Sequence, residues 1–268
     1  MLRNAFAYIT RKWPKSLLLF AIILLMVTLS LIGLSMKGAT QKASSESLGS
    51  ITNSFSMQIN RRTNPGTPRG AGNLRGEDIE KISQVEGITS SIKRINAIAD
   101  ILDHEIIETE ETLQNQSPER AKHFKNTLMV TGVNDSSKED KFVSGAYKLV
   151  QGEHLTDKDK NQILMHEDLA KKNGLKVGDK VRLKSNLYDA DNEKGANETV
   201  EVTIKGLFSG KNQAPLTYAQ ELYEDTLISD LDTAAKLYGN TVQTATYEDA
   251  TFFAKGDQDL DQLIEKIK

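Results

Sequence analysis

Four histidines, His104, His123, His154 and His166, are by type the residues best suited to metal ligation or proton transfer in this chain. Of these, His104 with Glu108 has a helical ligand spacing, and two ligands do not make a closed zinc site. Each histidine therefore reads as a structural residue. "DADNEKGANE", Asp189 to Glu198, alternates oxygen ligands at Asp189, Asp191 and Glu193 in the manner of a calcium loop. Its sharp-turn glycine is displaced to Gly195, Lys194 stands in the required place, and no helices are expected on either side, so it reads as a solvated hairpin loop. "GLFSGKN", Gly206 to Asn212, follows an expected strand as a phosphate-binding loop would. It has three residues between its glycines instead of four, Asn212 where a hydroxyl should reach magnesium, and Pro215 where a helix should run. Serines and carboxylates are plentiful, but none lies in a G-x-S-x-G turn. The expectation is a protein that is not an enzyme, with no catalytic, cofactor-binding or metal-binding residue and no cofactor.

What remains is charge and shape. The first 37 residues contain Arg3, Arg11, Lys12, Lys15 and Lys37 and no acid; the chain as a whole has a formal charge of -3, which leaves -8 on the other 231 residues. An acidic main portion argues against nucleic acid as a partner, since phosphate binding needs a concentrated basic surface. Arg61, Arg62, Arg69 and Arg75 form a local basic cluster in the Gly- and Pro-punctuated "NRRTNPGTPRGAGNLRGE". It can serve as an electrostatic contact for lipid headgroups, anionic wall polymer or an acidic peptide, or simply be a solvated loop. There is no cysteine, so stability outside a cell has to come from packing.

The elements that would carry such a surface begin with a membrane segment. Leu17 to Met36 is a run of 20 uncharged, mostly apolar residues, long enough as a helix to span about 30 Å of hydrocarbon. The cations precede it except for Lys37, which places the N-terminus in the cytoplasm and residues 37–268 outside. A cleavable signal peptide, with small residues at Gly33 to Ser35, is the competing reading. Before the span, Leu2, Phe6, Ile9 and Trp13 recur at helical spacing as in an interfacial helix, or act as anchoring aromatics, and Pro14 breaks or bends the chain.

Beyond the span, strands interleave with short helices, which defines an α+β domain. "SFSMQI" predicts a first strand and "EDIEKISQVEGI" a short helix with Gly87 at its end. In "ITSSIKRINAIADIL" the apolar phase changes between Ile92 and Ile95, which predicts a bulge or bend. "SPERAKHF" starts a helix capped by Ser117 with Pro118 in its first position, and "NTLMVTGVN" returns to a strand. "NQILMHEDLAKKNGLKVGDKVRLKS" predicts a buried strand Gln162 to Met165, a helix Glu167 to Lys172 stopped at Asn173–Gly174, a turn, and a strand with Val181 and Leu183 facing inward. Its expected partner is "ETVEVTIKGLF", with Val200, Val202 and Ile204 on one face. "DTLISDLDTAAKLYGN" and "ATYEDATFFAKGDQDLDQLIEKIK" each predict a strand followed by a helix, the first capped by Asp230 and the second striped by Leu260, Leu263, Ile264 and Ile267.

The order of "AYITRKWPKSLLL", an outside domain containing "LVQGEHLTDKDKNQILMHEDLAKKNGLKVGDKVRL", and "TFFAKGDQDLDQLIEKIK" resembles the MacB-like, FtsX-type permease subunits of bacterial ABC transporters, in style the Gram-positive export permeases such as the Vex proteins of streptococci. The resemblance implies a cytoplasmic leader 1–16, a transmembrane helix 17–36, a membrane-proximal α+β lobe from 37–135 and 211–268, and an inserted β-rich lobe 136–210. It also implies a cytoplasmic ABC ATPase subunit, a second permease copy or paralogue in a dimer, membrane lipid, and a peptide or small-molecule cargo as partners. Such permeases relay ATP-driven motion to their outside domain. They have three further spans after that domain, so the sequence as given is expected to be a piece of a longer permease or a truncated single-span protein. The alternative classes are a membrane-anchored binding or sensor protein and, more remotely, a secreted enzyme.

Overall fold

The computed structural model describes residues 53–58, 74–212, 221–255 and 259–267, together with Pro14, Ile22, Leu24, Met26, Val27 and Thr28. The interfacial leader and the membrane span 17–36 lie outside the described residues apart from those six, which are helical, Pro14 included. Among the described residues no helix is long and apolar enough to cross a membrane. Arg61, Arg62 and Arg69 also lie outside them, whereas Arg75, expected in a loop, sits in a two-residue strand.

Residues 53–268 form one compact unit. Its strands are β1 (Ser54–Gln58), β2 (Leu74–Arg75), β3 (Ile88–Leu102), β4 (Thr127–Val133), β5 (Lys148–Gly152), β6 (Gln162–His166), β7 (Lys180–Ser185), β8 (Thr199–Ser209), β9 (Thr226–Asp230), β10 (Thr246–Tyr247) and β11 (Asp249–Ala254). The helices are α1 (Gly76–Ser83), α2 (Glu110–Gln114), α3 (Pro118–His123), α4 (Asp140–Val143), α5 (Glu167–Asn173), α6 (Leu231–Leu237) and α7 (Leu260–Ile267). The fold is mixed α and β, as expected.

Six strands pair in closed succession. β3 is antiparallel to β4, β4 parallel to β9, β9 antiparallel to β6, β6 parallel to β8, β8 antiparallel to β7, and β7 antiparallel to β3. Registered neighbours share one inward phase around this ring: Ala97 opposite Val130, Val130 opposite Leu227, Leu227 opposite Met165, Val181 opposite Val202 and Leu183 opposite Ile101. All of these are at most 1% exposed, and each Val, Leu, Ile or Met among them contributes roughly 1.5–3 kcal/mol by leaving water. The opposite phase, Leu164, Ile228, Val133 and Phe208, builds a second cluster on the outside with Tyr147 and Leu155. In β8 the inward phase passes from Ile204 to Leu207, because the register against β6 shifts at this point. This bulge lets one strand serve both partners.

The N-terminal half of β3 leaves the ring and pairs with β11, which pairs in turn with β1. These strands, the β2–β10 ribbon and α1 make a small wing. Its core includes Ile79 of α1, Ala250 and Phe252, with Phe55 stacked on Phe252 at 5.2 Å between ring centroids. No register shift interrupts β3 between Ile92 and Ile95. Wing and ring bury the same face of β3, since Phe252 and Ala250 register opposite Ser91 and Lys93, in phase with Ile95; the register shift against β11 between Ser90 and Ile88 is what brings Ile88 onto that face. The strands expected in two separate lobes also share the ring: β4 and β9 come from the 37–135 and 211–268 segments, and β6, β7 and β8 from 136–210. Alternation identifies a strand but carries no information about its partner.

Helix ends follow their local chemistry. Ser117 accepts from Arg120 N with Pro118 in the first turn, and Asp230 accepts from Thr233 N. α5 ends on Gly174 at φ 65°, and Gly178 turns at φ 94°. α1 ends on Gln84; Gly87, at φ 104°, shapes the turn into β3 instead of capping the helix. In α7 Leu263 is buried and Leu260, Ile264 and Ile267 half-buried, which matches the expected stripe.

Candidate functional site

Where wing meets ring, the surface is indented by a cleft of about 480 Å³. Gly76, Glu80, Val242 and Tyr247 line it from the wing side, Ser91, Lys93 and Asn134 form part of its floor, and Thr156, Asp159, Asp230 and Asp232 line it from the ring side. Gly76 is required by close approach: a Cβ there would lie 2.3 Å from the Val242 carbonyl oxygen.

Most of the charged side chains that line the cleft are engaged, with one another or with groups beside it. Glu80 holds Lys93 at 3.1 Å, which keeps the Glu80 carboxyl below its usual range. Asp159 accepts from Lys205 at 2.8 and 2.9 Å and from Thr156 N at 2.7 Å; burial alone would raise its pKa, and these bonds bring it down on balance. Asp230 accepts from Gln162 N and Thr233 N, and Asp232 pairs with Lys236 at 2.6 Å. The Tyr247 hydroxyl donates to Val242 O, and burial pushes its pKa up to about 12. Such an arrangement shapes a surface and presents no poised acid, base or nucleophile.

On the opposite face of β3, Arg94 donates to Asp249 Oδ2 at 2.5 Å through its NH2 group and to Asp140 Oδ2 at 2.9 Å, with Glu139 Oε1 3.9 Å away. Burial would lower the guanidinium pKa, and the Asp249 and Asp140 carboxylates more than offset it, so the net direction is upward. Glu139 is buried and its pKa is raised by burial; its Oε2 accepts from Lys141 N and Phe142 N at the start of α4.

The residues singled out by type are scattered and structurally employed. His166 is buried: its Nε2 lies 2.8 Å from Gly210 O and Nδ1 accepts from Asp168 N, so it is a donor at one nitrogen and a helix cap at the other. His154 Nδ1 is 2.9 Å from Ser136 Oγ, and burial lowers its pKa. The His123 ring packs on Tyr188 with centroids 3.6 Å apart. His104 and Glu108 lie in an irregular segment, so their spacing is not expressed on a helix.

Asp189 to Glu198 is a solvated loop only in part: Ala190, Glu193 to Gly195, Asn197 and Glu198 are exposed, but its first residues are held inward. Asp189, Asp191 and Asn192 are at most 8% exposed. Asp189 accepts from the Tyr238 hydroxyl, and Asn192 bridges Asn186 O and Ala196 O. The loop is tied inward by Asn186, which donates to Asp100 and to His123 O. Among the described residues no cluster of three His, Cys, Asp or Glu is arranged to hold a metal. "GLFSGKN" is the end of β8 and the irregular residues that follow it: Gly210 O contacts His166, and Asn212 Oδ1 accepts from Tyr223 N.

Residues that composition could not single out are Arg94, Asn134, Tyr238 and Asp225. The sole cue for Arg94 is that it stands, beside Lys93, where the polar first part of the strand gives way to the apolar second part. Asp225, fully buried, accepts from Ile107 N at 2.7 Å through Oδ1, while Oδ2 has no hydrogen bond. Burial pushes its pKa up to about 8.

This is a mixed α/β domain built around a closed strand ring, with a polar junction cleft and a part-exposed charge clamp on either side of one shared strand. The MacB-like periplasmic core domain matches residues 16–268, and the chain belongs to that family, the extracytoplasmic domain of ABC transporter permeases and not a known catalytic fold. It is similar to the periplasmic region of MacB from Actinobacillus actinomycetemcomitans, with 17% identity, a TM-score of 0.46 and 81% of each chain covered. It is also similar to the extracellular domain of the noncanonic ABC-type transporter YknZ from Gram-positive bacteria, with 14% identity, a TM-score of 0.41, and 79% of this chain and 87% of that one covered. No curated protein matches it.

Proposed function

We propose that residues 17–36 anchor this chain in the cell membrane with its N-terminus in the cytoplasm, and that the domain beyond acts outside as the moving part of an ABC permease subunit. In this reading a separate ATPase supplies the energy, a second permease copy or paralogue completes the assembly, and the external domain relays the motion to a peptide, drug or lipid-linked cargo. The observation that carries the reading is the family match itself, which begins at residue 16 and so takes in the apolar segment. It is supported by Ile22, Leu24, Met26 and Val27, apolar helical side chains that are 48–64% exposed in the described structure, as a lipid-facing helix requires. The engaged charges of the cleft fit a load-bearing surface. A membrane-anchored binding protein is the second reading, favoured by the cleft volume of about 480 Å³.

Because the chain has no cysteine, single cysteines report topology without background. In intact cells, a Lys148→Cys variant should react with a membrane-impermeant maleimide, and a Lys12→Cys variant should react only after permeabilisation. A tagged full chain should also retain an ATPase bearing a phosphate-binding loop after detergent extraction. Labelling of Lys12→Cys from outside, or recovery of the chain as a free soluble product, overturns the membrane reading; absence of any ATPase favours the binding protein.

A further inference from the structure

β3 belongs to both the wing and the ring, and Arg94 is the residue at which it changes partners. Arg94 lies opposite Asp249 of β11 across one edge and opposite Val133 of β4 across the other. Before it the strand is laddered to β11, and after it to β4. The sheet therefore passes from wing to ring through one residue that belongs to both ladders.

Side chains, not further strands, fill the gaps on either side. On the edge that β11 leaves, β7 does not begin to pair until Ala99, and the Tyr238 hydroxyl takes the Ile98 N–H at 3.1 Å. On the other edge β4 ends at Val133, and the Asn134 carboxamide continues the ladder by accepting from Lys93 N and donating to Ser91 O, each at 2.8 Å. On either side of Arg94, which both ladders hold, the strand has a backbone ladder on one edge only, and it can flex there because fewer backbone bonds oppose the movement.

Arg94 spans that point with a rigid fork. One guanidinium holds Asp249 of the wing and Asp140 at the start of α4, beside the ring. A planar group with fixed donor directions sets the angle between two carboxylates, which a flexible ammonium cannot do. The two bonds are unequal: the Asp249 side chain is 14% exposed and that of Asp140 77%. The ring-side bond is therefore the one that solvent weakens.

We propose that β3 is a pivot at Lys93–Arg94 and that Arg94 is the latch that fixes the angle between wing and ring, opening at Asp140 while it stays seated on Asp249. The inference concerns the domain itself and does not rest on the transport reading.

The test uses the full chain in lipid nanodiscs, spin-labelled at Gln58→Cys in the wing and Lys148→Cys on the ring, with the label-to-label distance distribution measured by pulsed electron resonance. The latched protein should give one narrow distance. Asp140→Asn should bring in a second distance while the melting temperature stays unchanged, since the Asp249 bond remains. Arg94→Lys should do the same despite keeping the charge. Asp140→Asn removes an exposed carboxylate, so it remains informative if Arg94 variants fail to fold. An unchanged single distance in Asp140→Asn overturns the latch. A lowered melting temperature without a second distance shows Arg94 to be a stabiliser only, and overturns the pivot as well.

Discussion

At the scale of single residues, the most consequential side chain away from the junction is Asp225. Its carboxyl is fully buried, takes one backbone N–H, and has its pKa pushed up to about 8. In the unfolded chain it titrates at an ordinary carboxylate value near 3.9. Between those two values the native state binds the proton and the unfolded state does not, so this group's contribution to stability falls as pH rises through that window. Asn keeps the acceptor for Ile107 N and never ionises. Asp225→Asn should therefore melt at a higher temperature than the parent at pH 8, and the gap should shrink steadily as the buffer is taken toward pH 4. A gap independent of pH would mean that Asp225 is already ionised in the fold. Nothing in the local sequence "YEDTLISD" distinguishes Asp225 from its acidic neighbours, because its burial is imposed by Ile107, 118 residues away. Arg94 was hidden for the same reason: its partners Asp140 and Asp249 are distant in the chain.

Among the elements, those whose ends are set by neighbouring residues were legible. The α5 unit is the clearest example: a strand, His166, a short helix, Gly174 in a left-handed cap and an alternating β7 all follow from local rules. Two glycines separate backbone strain from crowding. Gly174 has φ 65° and open space where a Cβ would go, so Gly174→Ala meets only the left-handed penalty of about 1–2 kcal/mol. At Gly132 in β4 the φ is unexceptional, but a Cβ would stand 2.5 Å from the Ala234 Cβ of α6. Gly132→Ala should cost about 1–3 kcal/mol through overpacking, and Ala234→Gly should restore part of that loss, whereas it should do nothing for Gly174→Ala. Chemical denaturation of the four variants checks this; equal behaviour at the two sites would refute the distinction. What local rules could not supply was pairing. β7 meets β3 across some 80 residues, and the Asp189–Glu198 loop looked solvated throughout because the burial of its first residues comes from Asn186 and Tyr238 reaching into it.

For the whole molecule, the shared strand has a thermodynamic meaning. β3 contributes Ile95, Ala97, Ala99 and Ile101 to the core that also receives Phe252 and Ile79 of the wing. Wing and ring therefore cannot lose order independently at equilibrium, even if their angle varies, and residues 53–268 should melt in a single transition. Calorimetry on the full chain, with hydrogen exchange followed in β1 and in β8, should find the same midpoint in both elements; two midpoints would show the wing to be a separate folding unit. A chain with no cysteine has no covalent staple to hold these parts. The circle of strands offers another form of security: unravelling a sheet normally starts at a loose border, and a hoop has none to pick at. A protease or a stray strand must first prise apart two flanking ladders at once, so the cyclic pairing does for this domain what crosslinks do for many proteins exposed to the outside world.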